Sequence, residues 1–173
     1  MDYSPLIMMG LMGLAAGWIA NTLTGGRADL VGNDEYEAHR IVAGVPRGGL
    51  DFMYSDAFPH ETNMDRLHGI DFDKGCYVGQ EVVSRMQHRG TARTRTAKII
   101  LDDFSPEPGL PVMAGEKPVG TMGSTAGKHG LALIRTDRVS DALAAGVKLT
   151  AGGLPIRIAE PDELRPSSKQ TLA

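Results

Sequence analysis

The only cysteine of this 173-residue chain lies in the sequence KGCYVGQE, residues 74–81. A single cysteine cannot form a disulfide within its own chain, so Cys76 acts either as a thiol or thiolate or as a small buried apolar residue. Lys74 and a helix predicted to begin about three residues after Cys76 both favour the thiolate, which is the reactive form. Free cysteines are more often buried than reactive, so composition alone favours a side chain that fills the junction between this loop and the domain that follows.

Other patterns that carry chemistry are missing from the sequence. The five histidines show no HExxH motif and no close ligand spacing, and a structural zinc site is not expected with a single cysteine. The sequence contains no P-loop, no GxGxxG that opens a helix after a strand and no GxSxG nucleophile elbow. We therefore predict no metal site, and Cys76 is the one candidate for a functional side chain.

Composition favours one medium or two small globular domains in a reducing compartment, the cytoplasm. Hydrophobic residues make up 42% of the chain, which is ordinary for a protein with a core, and one cysteine argues against a secreted, disulfide-framed fold. The net charge is −3, yet one window, residues 74–98, sets six cations against Glu81 alone. These cations are Lys74, Arg85, Arg89, Arg93, Arg95 and Lys98. This basic window either attracts a polyanion such as RNA or the poly-carboxylate tail of a ligand, or is an ordinary solvated helix face and strand edge.

The chain begins with an apolar segment, PLIMMGLMGLAAGWIANTL, residues 5–23, which carries no charge. Its length is sufficient for a helix that spans a bilayer, and Trp18 lies toward one end, where an interfacial ring would lie. The segment has neither a basic start nor a convincing cleavage site, which argues against a secretory signal. We expect either a membrane-spanning helix that leaves the rest of the chain in the cytoplasm or a buried or partner-facing helix.

The middle of the chain predicts helices joined by a long loop. NDEYEAHRIVAG, residues 33–44, predicts a short helix that Asn33 or Asp34 caps and that Gly44 ends. A loop rich in Gly, Asp and Pro leads from there to Cys76, and loops of this length are usually functional or packed as irregular structure. GQEVVSRMQHRG, residues 79–90, predicts a second helix.

From residue 94 to residue 160 the pattern changes to short strands separated by glycine turns. The predicted strands lie in TAKIILDD, KPVGTMGST, GLALIRTD, VKLTA and LPIRIAE. This pattern predicts an antiparallel sheet closed into a small barrel or sandwich. AGG at 151–153 is typical of a hairpin turn, SDALAAG at 140–146 predicts one helical turn, and residues 161–173 predict a flexible polar tail.

Several of these segments together resemble the YgfZ family, the folate-binding, iron–sulfur-linked branch of the superfamily that includes the glycine cleavage T-protein, an aminomethyltransferase. The resemblance covers about residues 33–160 and rests on AHRIVAGVPRGGLD, FPHETNMD, HGIDFDKGCYVGQEVVSRMQHRGTARTR and PVGTMGSTAGKHGLALIR. It implies an α+β fold with a partial ferredoxin-like module at residues 27–93 and a small antiparallel C-terminal β-barrel at residues 94–160. The family's first module has no counterpart here, and residues 1–26 form an apolar N-terminal helix that is either membrane-spanning or a foreign fusion.

The resemblance also implies a function. Members of the family are associated with the assembly or repair of iron–sulfur clusters in particular enzymes, including tRNA-modifying ones, and bind tetrahydrofolate. Cys76 is the residue that the resemblance marks as functional. The rest of the motif, which is expected to contact folate or the cluster client, comprises Lys74, Tyr77, Gln80, Glu81 and Arg85. The implied partners are iron–sulfur enzymes or assembly proteins, with an indirect link to tRNA and membrane contact through residues 5–23.

One departure from the superfamily weakens the expected folate pocket. Many members carry an acidic residue where this chain has Val42, and an apolar side chain cannot accept hydrogen bonds from a pterin. The catalytic acid of true aminomethyltransferases belongs to the unmatched module, so aminomethyl transfer is not expected. Two alternatives to an assembly factor remain open: a folate-dependent aminomethyltransferase, and a non-enzymatic truncated or membrane-tethered barrel domain whose basic window contacts RNA or acidic lipid.

Overall fold

The computed structural model describes residues 32–89, 92–102 and 104–164, and every structural statement below concerns these residues. The helices are α1 (Asn33–Ala43), α2 (Gln80–Arg89) and α3 (Thr136–Ala144), with a final 3-10 helix at Pro161–Leu164. The strands are β1 (Thr94–Leu101), β2 (Pro111–Ala114), β3 (Lys117–Ala126), β4 (His129–Arg135), β5 (Leu149–Ala151) and β6 (Leu154–Ile158). The predicted apolar segment at residues 5–23 lies outside the described residues. None of the helices that are described is both long enough and apolar enough to cross a membrane.

The six strands form a closed barrel in which every pairing is antiparallel. Their order is β1-β4-β3-β2-β5-β6, and β6 pairs with β1 to close the barrel. In β1 the side chains of Ile99 and Leu101 are buried while Ile100 between them is half-buried, as expected for a strand with one face in a core. The antiparallel barrel predicted from the sequence is confirmed, and a sandwich is not formed.

The core of the barrel is apolar and is completed by the helices that follow β4 and β6. Ile99, Ile134 and Val112 are fully buried inside the barrel, and burial of such a side chain stabilises a fold by about 1.5–3 kcal/mol. Val139 of α3 and Leu164 of the 3-10 helix belong to the same buried cluster. The chain after residue 160 was predicted to be a flexible tail, but residues 161–164 are ordered because Leu164 packs into the core.

Two further elements differ from the sequence-based expectation. Strand β2 was not predicted, because it is four residues long and begins with Pro111, a residue that strands tolerate mainly at their ends. Helix α3 begins at Thr136, four residues before the predicted helical turn. The hairpin between β5 and β6 is confirmed, since Gly152 and Gly153 both have positive φ angles, 57° and 82°, as a two-residue turn requires.

Outside the barrel, the described chain consists of two helices and turns. Helix α1 begins and ends as predicted, with Gly44 at a φ of 75° directly after it, and it packs against β3 and β4. We call residues 44–73 the turn segment. Its one described β-bridge joins Gly48 to Phe52, so the partial ferredoxin-like module implied by the resemblance is represented here by helices and turns rather than by strands.

Candidate functional site

The cysteine predicted to be functional lies on the surface. Cys76 is a free, exposed cysteine in the loop of residues 74–81, which we call the cysteine loop. The expectation from composition, a buried side chain between this loop and the barrel, is therefore wrong. Burial could not be judged from the sequence because it depends on where the turn segment packs, and the exposed position leaves the sulfur accessible to a partner.

A short turn fixes the backbone just after the cysteine. Gly79 has a φ of 89°, a conformation that residues with a Cβ rarely adopt. The Gln80 side-chain Oε1 accepts a hydrogen bond from the Tyr77 backbone N–H at 3.2 Å, and the Tyr77 carbonyl accepts one from the Gln80 N–H at 3.3 Å. Gln80 thus satisfies a backbone donor that lies just before α2.

The remaining motif residues divide into two groups. The Lys74 ammonium lies 4.9 Å from the centre of the Tyr77 ring, a cation–π contact that links the two side chains across Cys76. Glu81 and Arg85 are hydrogen-bonded to each other on α2 and are largely exposed. Lys74 and Tyr77 therefore contact each other beside Cys76, while Glu81 and Arg85 form an ordinary surface pair.

The cysteine loop forms one wall of a cleft of about 370 Å³. The turn segment and helix α2 contribute the rest of its lining. Most of the lining is apolar, and its polar side chains are Asp71, Lys74 and Tyr77. The cleft is lined by Pro59, Met64, Gly69, Ile70, Asp71, Lys74, Tyr77, Val78, Gly79, Val82 and Val83. Its volume lies within the range of small-molecule pockets, at the lower end.

The basic window predicted at residues 74–98 is not a continuous surface. Arg95 is buried and binds both carboxylate oxygens of Asp65, at 3.0 and 2.8 Å. Lys98 binds Glu160 at 2.6 Å. Since Arg85 is also paired, three of the six cations have carboxylate partners, which favours the second alternative, an ordinary helix face and strand edge, over a continuous surface for a polyanion.

The Asp65–Arg95 pair also shifts a pKa. Burial raises the pKa of the Asp65 carboxyl, but the hydrogen bonds and positive charge of Arg95 outweigh it, so that the pKa lies below its ordinary value of 3.8. Asp65 therefore stays ionised at neutral pH and holds the turn segment to strand β1.

Sequence reasoning did not identify a buried ionic cluster that joins helix α1 to the barrel. Arg40, 5% exposed, donates from Nη1 to Asp51 Oδ2 at 2.8 Å and from Nη2 to Ser124 Oγ at 2.8 Å. Asp51 Oδ1 accepts from the N–H and the hydroxyl of Ser124, both at 2.6 Å. A Cβ at Gly123 would lie 2.3 Å from Asp51 Oδ1, so only glycine fits beside this carboxylate. The three partners lie in separate segments, and no local spacing in the sequence could have paired them.

Two residues singled out in the sequence have a different setting in the structure. Val42 is half exposed on α1, next to the buried Arg40 and Ile41, so the position of the superfamily acid presents an apolar side chain. His60, one of the five histidines that show no ligand spacing in the sequence, is 1% exposed and its Nδ1 has no hydrogen-bond partner. Among the described side chains, no cluster of three or more His, Cys, Asp or Glu residues could hold a metal ion.

Comparison with known proteins gives matches to one group. Residues 93–166 match the family model of the CAF17 C-terminal beta-barrel domain. A mitochondrial iron–sulfur cluster assembly factor IBA57 homolog of Mycosarcoma maydis is 50% identical over 68 residues, 39% of this chain and 17% of that protein. The IBA57 assembly factor of Homo sapiens is 35% identical over 114 residues, 63% of this chain and 32% of that protein.

A longer match extends in front of the barrel. The IBA57 homolog of Coccidioides immitis is 32% identical over 150 residues, which is 71% of this chain and 35% of that protein. The chain thus spans about a third or less of the length of these curated relatives. From the barrel and these matches together, we conclude that the chain carries the C-terminal β-barrel domain of the CAF17/IBA57 (YgfZ) family, and that it is similar to IBA57 assembly factors over part of their length.

Proposed function

We propose that this chain acts as an iron–sulfur cluster assembly factor of the IBA57/YgfZ type and that the Cys76 thiol is its working group. The observation that carries the proposal is the exposure of Cys76 on a fixed turn beside an apolar cleft. A structural cysteine would be buried. The names of its relatives supply the function class, since each is an iron–sulfur cluster assembly factor.

The number of thiols limits what the chain can do to a cluster. Iron–sulfur clusters are usually held by four cysteine thiolates, whereas this chain has one cysteine. Cys76 can therefore supply a single ligand to a cluster whose other ligands belong to a partner. The cluster is then cargo, and the partners are iron–sulfur enzymes or assembly proteins, with tRNA reached only through a client that modifies it.

Tetrahydrofolate fits the described residues only in part. A pterin presents several hydrogen-bond donors along one edge, and the cleft offers one carboxylate, Asp71, of which Oδ1 already accepts the N–H groups of Asp73 and Lys74. Val42 presents no acceptor either. We therefore propose no folate-dependent step for these residues and assign Lys74 and Tyr77 to contact with the client or with an anionic part of a ligand.

The single thiol also bears on where the chain works. A functional free cysteine needs a reducing compartment, and we propose the cytoplasm. The names of the relatives place them in mitochondria. If this chain were found in mitochondria, the proposal of a cytoplasmic location would be wrong. Fractionation of the full chain, with residues 5–23 present, measures both this location and contact with a membrane.

The test uses cells that depend on this chain for the activity of an iron–sulfur enzyme. We expect Cys76→Ser to lose most of that activity while the protein stays folded, because the residue is exposed. A matched control moves the thiol to an exposed position on helix α2, in a Cys76→Ser, Ser84→Cys double variant, and should not restore activity. Full activity of Cys76→Ser would rule out a role for the thiol.

A further inference from the structure

His60 links strand β1 of the barrel to helix α2. Its carbonyl oxygen accepts a hydrogen bond from Arg95 Nη1 of strand β1 at 2.9 Å. The neighbouring Glu61 carbonyl accepts the Thr96 N–H at 2.8 Å, and the Arg95–Asp65 pair holds the same part of the turn segment. The backbone of His60 is thus held to β1 by its own carbonyl and by contacts of the residues that follow it.

The side chain of His60 extends from this anchored backbone to helix α2. Its Nε2 lies 3.2 Å from Oε1 of Gln87, and because that oxygen accepts, Nε2 carries the proton. Nδ1 is then a buried acceptor without a partner. A leucine or phenylalanine would fill the same space without an unsatisfied polar atom, so packing alone does not account for a histidine here. The hydrogen bond to Gln87 accounts for a histidine at this position.

Helix α2 has few other anchors among its described side chains. Val83 is buried and Met86 is half-buried, while the others described are exposed. Val83 lines the cleft near the start of the helix, and Gln87 lies one turn further along. Two anchors at different heights define the direction of a helix, whereas one leaves it free to tilt.

We infer that His60 is a positioning residue, which through Gln87 sets the orientation of helix α2 and with it the width of the cleft and the setting of Cys76. The inference deepens the proposed function and rests on it for its biological meaning. The orientation of helix α2 is measured separately from cluster assembly.

The experiment changes Gln87, which is exposed, so that the fold is kept. The Gln87→Met variant lacks the acceptor oxygen Oε1, while the side chain keeps nearly the same length. We expect amide hydrogen exchange of residues 80–89 to rise about fivefold, as the loss of one hydrogen bond implies, and the rate of Cys76 alkylation to change by a similar factor. Exchange in strands β1 and β4 should stay as in the parent protein.

Two further variants distinguish positioning from a general loss of stability. Gln87→Glu keeps an acceptor for the Nε2 proton and should restore the parent exchange and alkylation rates, while Ser84→Ala on the same helix should change neither. If Gln87→Met leaves both rates within twofold of the parent, or if Gln87→Glu fails to restore them, the inference is wrong. If both rates behave as expected while Cys76→Ser retains full activity in cells, the positioning role stands and the proposed function fails.

Discussion

The barrel and the region in front of it are held together by different forces. In the barrel, apolar side chains from six strands and two helices form one buried cluster. In the region of α1, the turn segment and α2, the main anchors are polar: Arg40 with Asp51 and Ser124, Arg95 with Asp65, and His60 with Gln87.

The distribution of exposed apolar side chains follows the same division. Of the fourteen large hydrophobic residues that are exposed in the described part of the chain, the barrel contributes Leu143 and Leu154, and the other twelve lie between Tyr36 and Val82. Apolar burial tolerates small shifts because it lacks direction, whereas hydrogen bonds and ion pairs fix geometry. The difference indicates that the barrel supplies stability and the polar anchors supply the geometry of the candidate site.

The largest effect is expected from breaking the cluster that joins α1 to the barrel. Arg40→Met leaves the buried Asp51 without its ion-pair partner, and removal of one partner from a buried pair typically costs about 3–5 kcal/mol. Amide exchange should rise in α1 and residues 44–52 while β1 and β4 keep their protection. The control is Arg157→Met, which removes an exposed pair with Asp102 and should cost less than about 1 kcal/mol. Equal effects of both changes would contradict a structural role for the cluster.

A change in the barrel core should destabilise the whole unit rather than one part of it. Ile134 is fully buried and belongs to the core cluster, and Ile134→Ala removes core contacts and leaves a cavity, which costs about 2–5 kcal/mol. In urea unfolding the midpoint should fall, and exchange should rise in β1, β4 and α1 together. If α1 exchanged faster while the strands did not, the barrel would not be the source of stability.

A smaller and local effect is expected at Gly79. Its φ of 89° makes Gly79→Ala unfavourable by about 1–2 kcal/mol, although no atom lies within 4 Å of the added methyl. The turn after Cys76 should open, and the rate of Cys76 alkylation should change. Gly75→Ala is the matched control, because that position is equally open but has no positive φ. The same alkylation rate in both variants would show that the turn does not depend on the conformation of Gly79.

The smallest effect on the free energy of unfolding is expected from lowering the pH. The lowered pKa of Asp65 means that its ion pair with Arg95 contributes its full stability above pH 3.8 and loses it as the pH falls through the folded-state pKa. Unfolding free energies measured in urea at decreasing pH should therefore fall more steeply for the parent than for Asp65→Asn. Asp102→Asn, which changes an exposed carboxyl, should follow the parent. Parallel curves for the parent and Asp65→Asn would contradict this assignment.

The candidate site was predictable only where its features are local. The start of α2 follows from residue types at short spacing, and the structure agrees with it. The exposure of Cys76 and the separation of the basic window could not be read from the sequence. Both depend on the packing of the turn segment against strand β1, in which Asp65 pairs with Arg95 thirty residues later.

By itself, the sequence determined the elements of this protein. Alternating apolar residues predicted most of the strands, and glycines with positive φ marked the end of α1 and the hairpin at 152–153, because these signals act within a few residues. Only the tertiary structure decided which polar side chains meet. Arg40 and Ser124 are 84 positions apart, and His60 and Gln87 are 27 positions apart. Such contacts form because the closed barrel and the packed turn segment bring distant segments together, and no local pattern encodes that geometry.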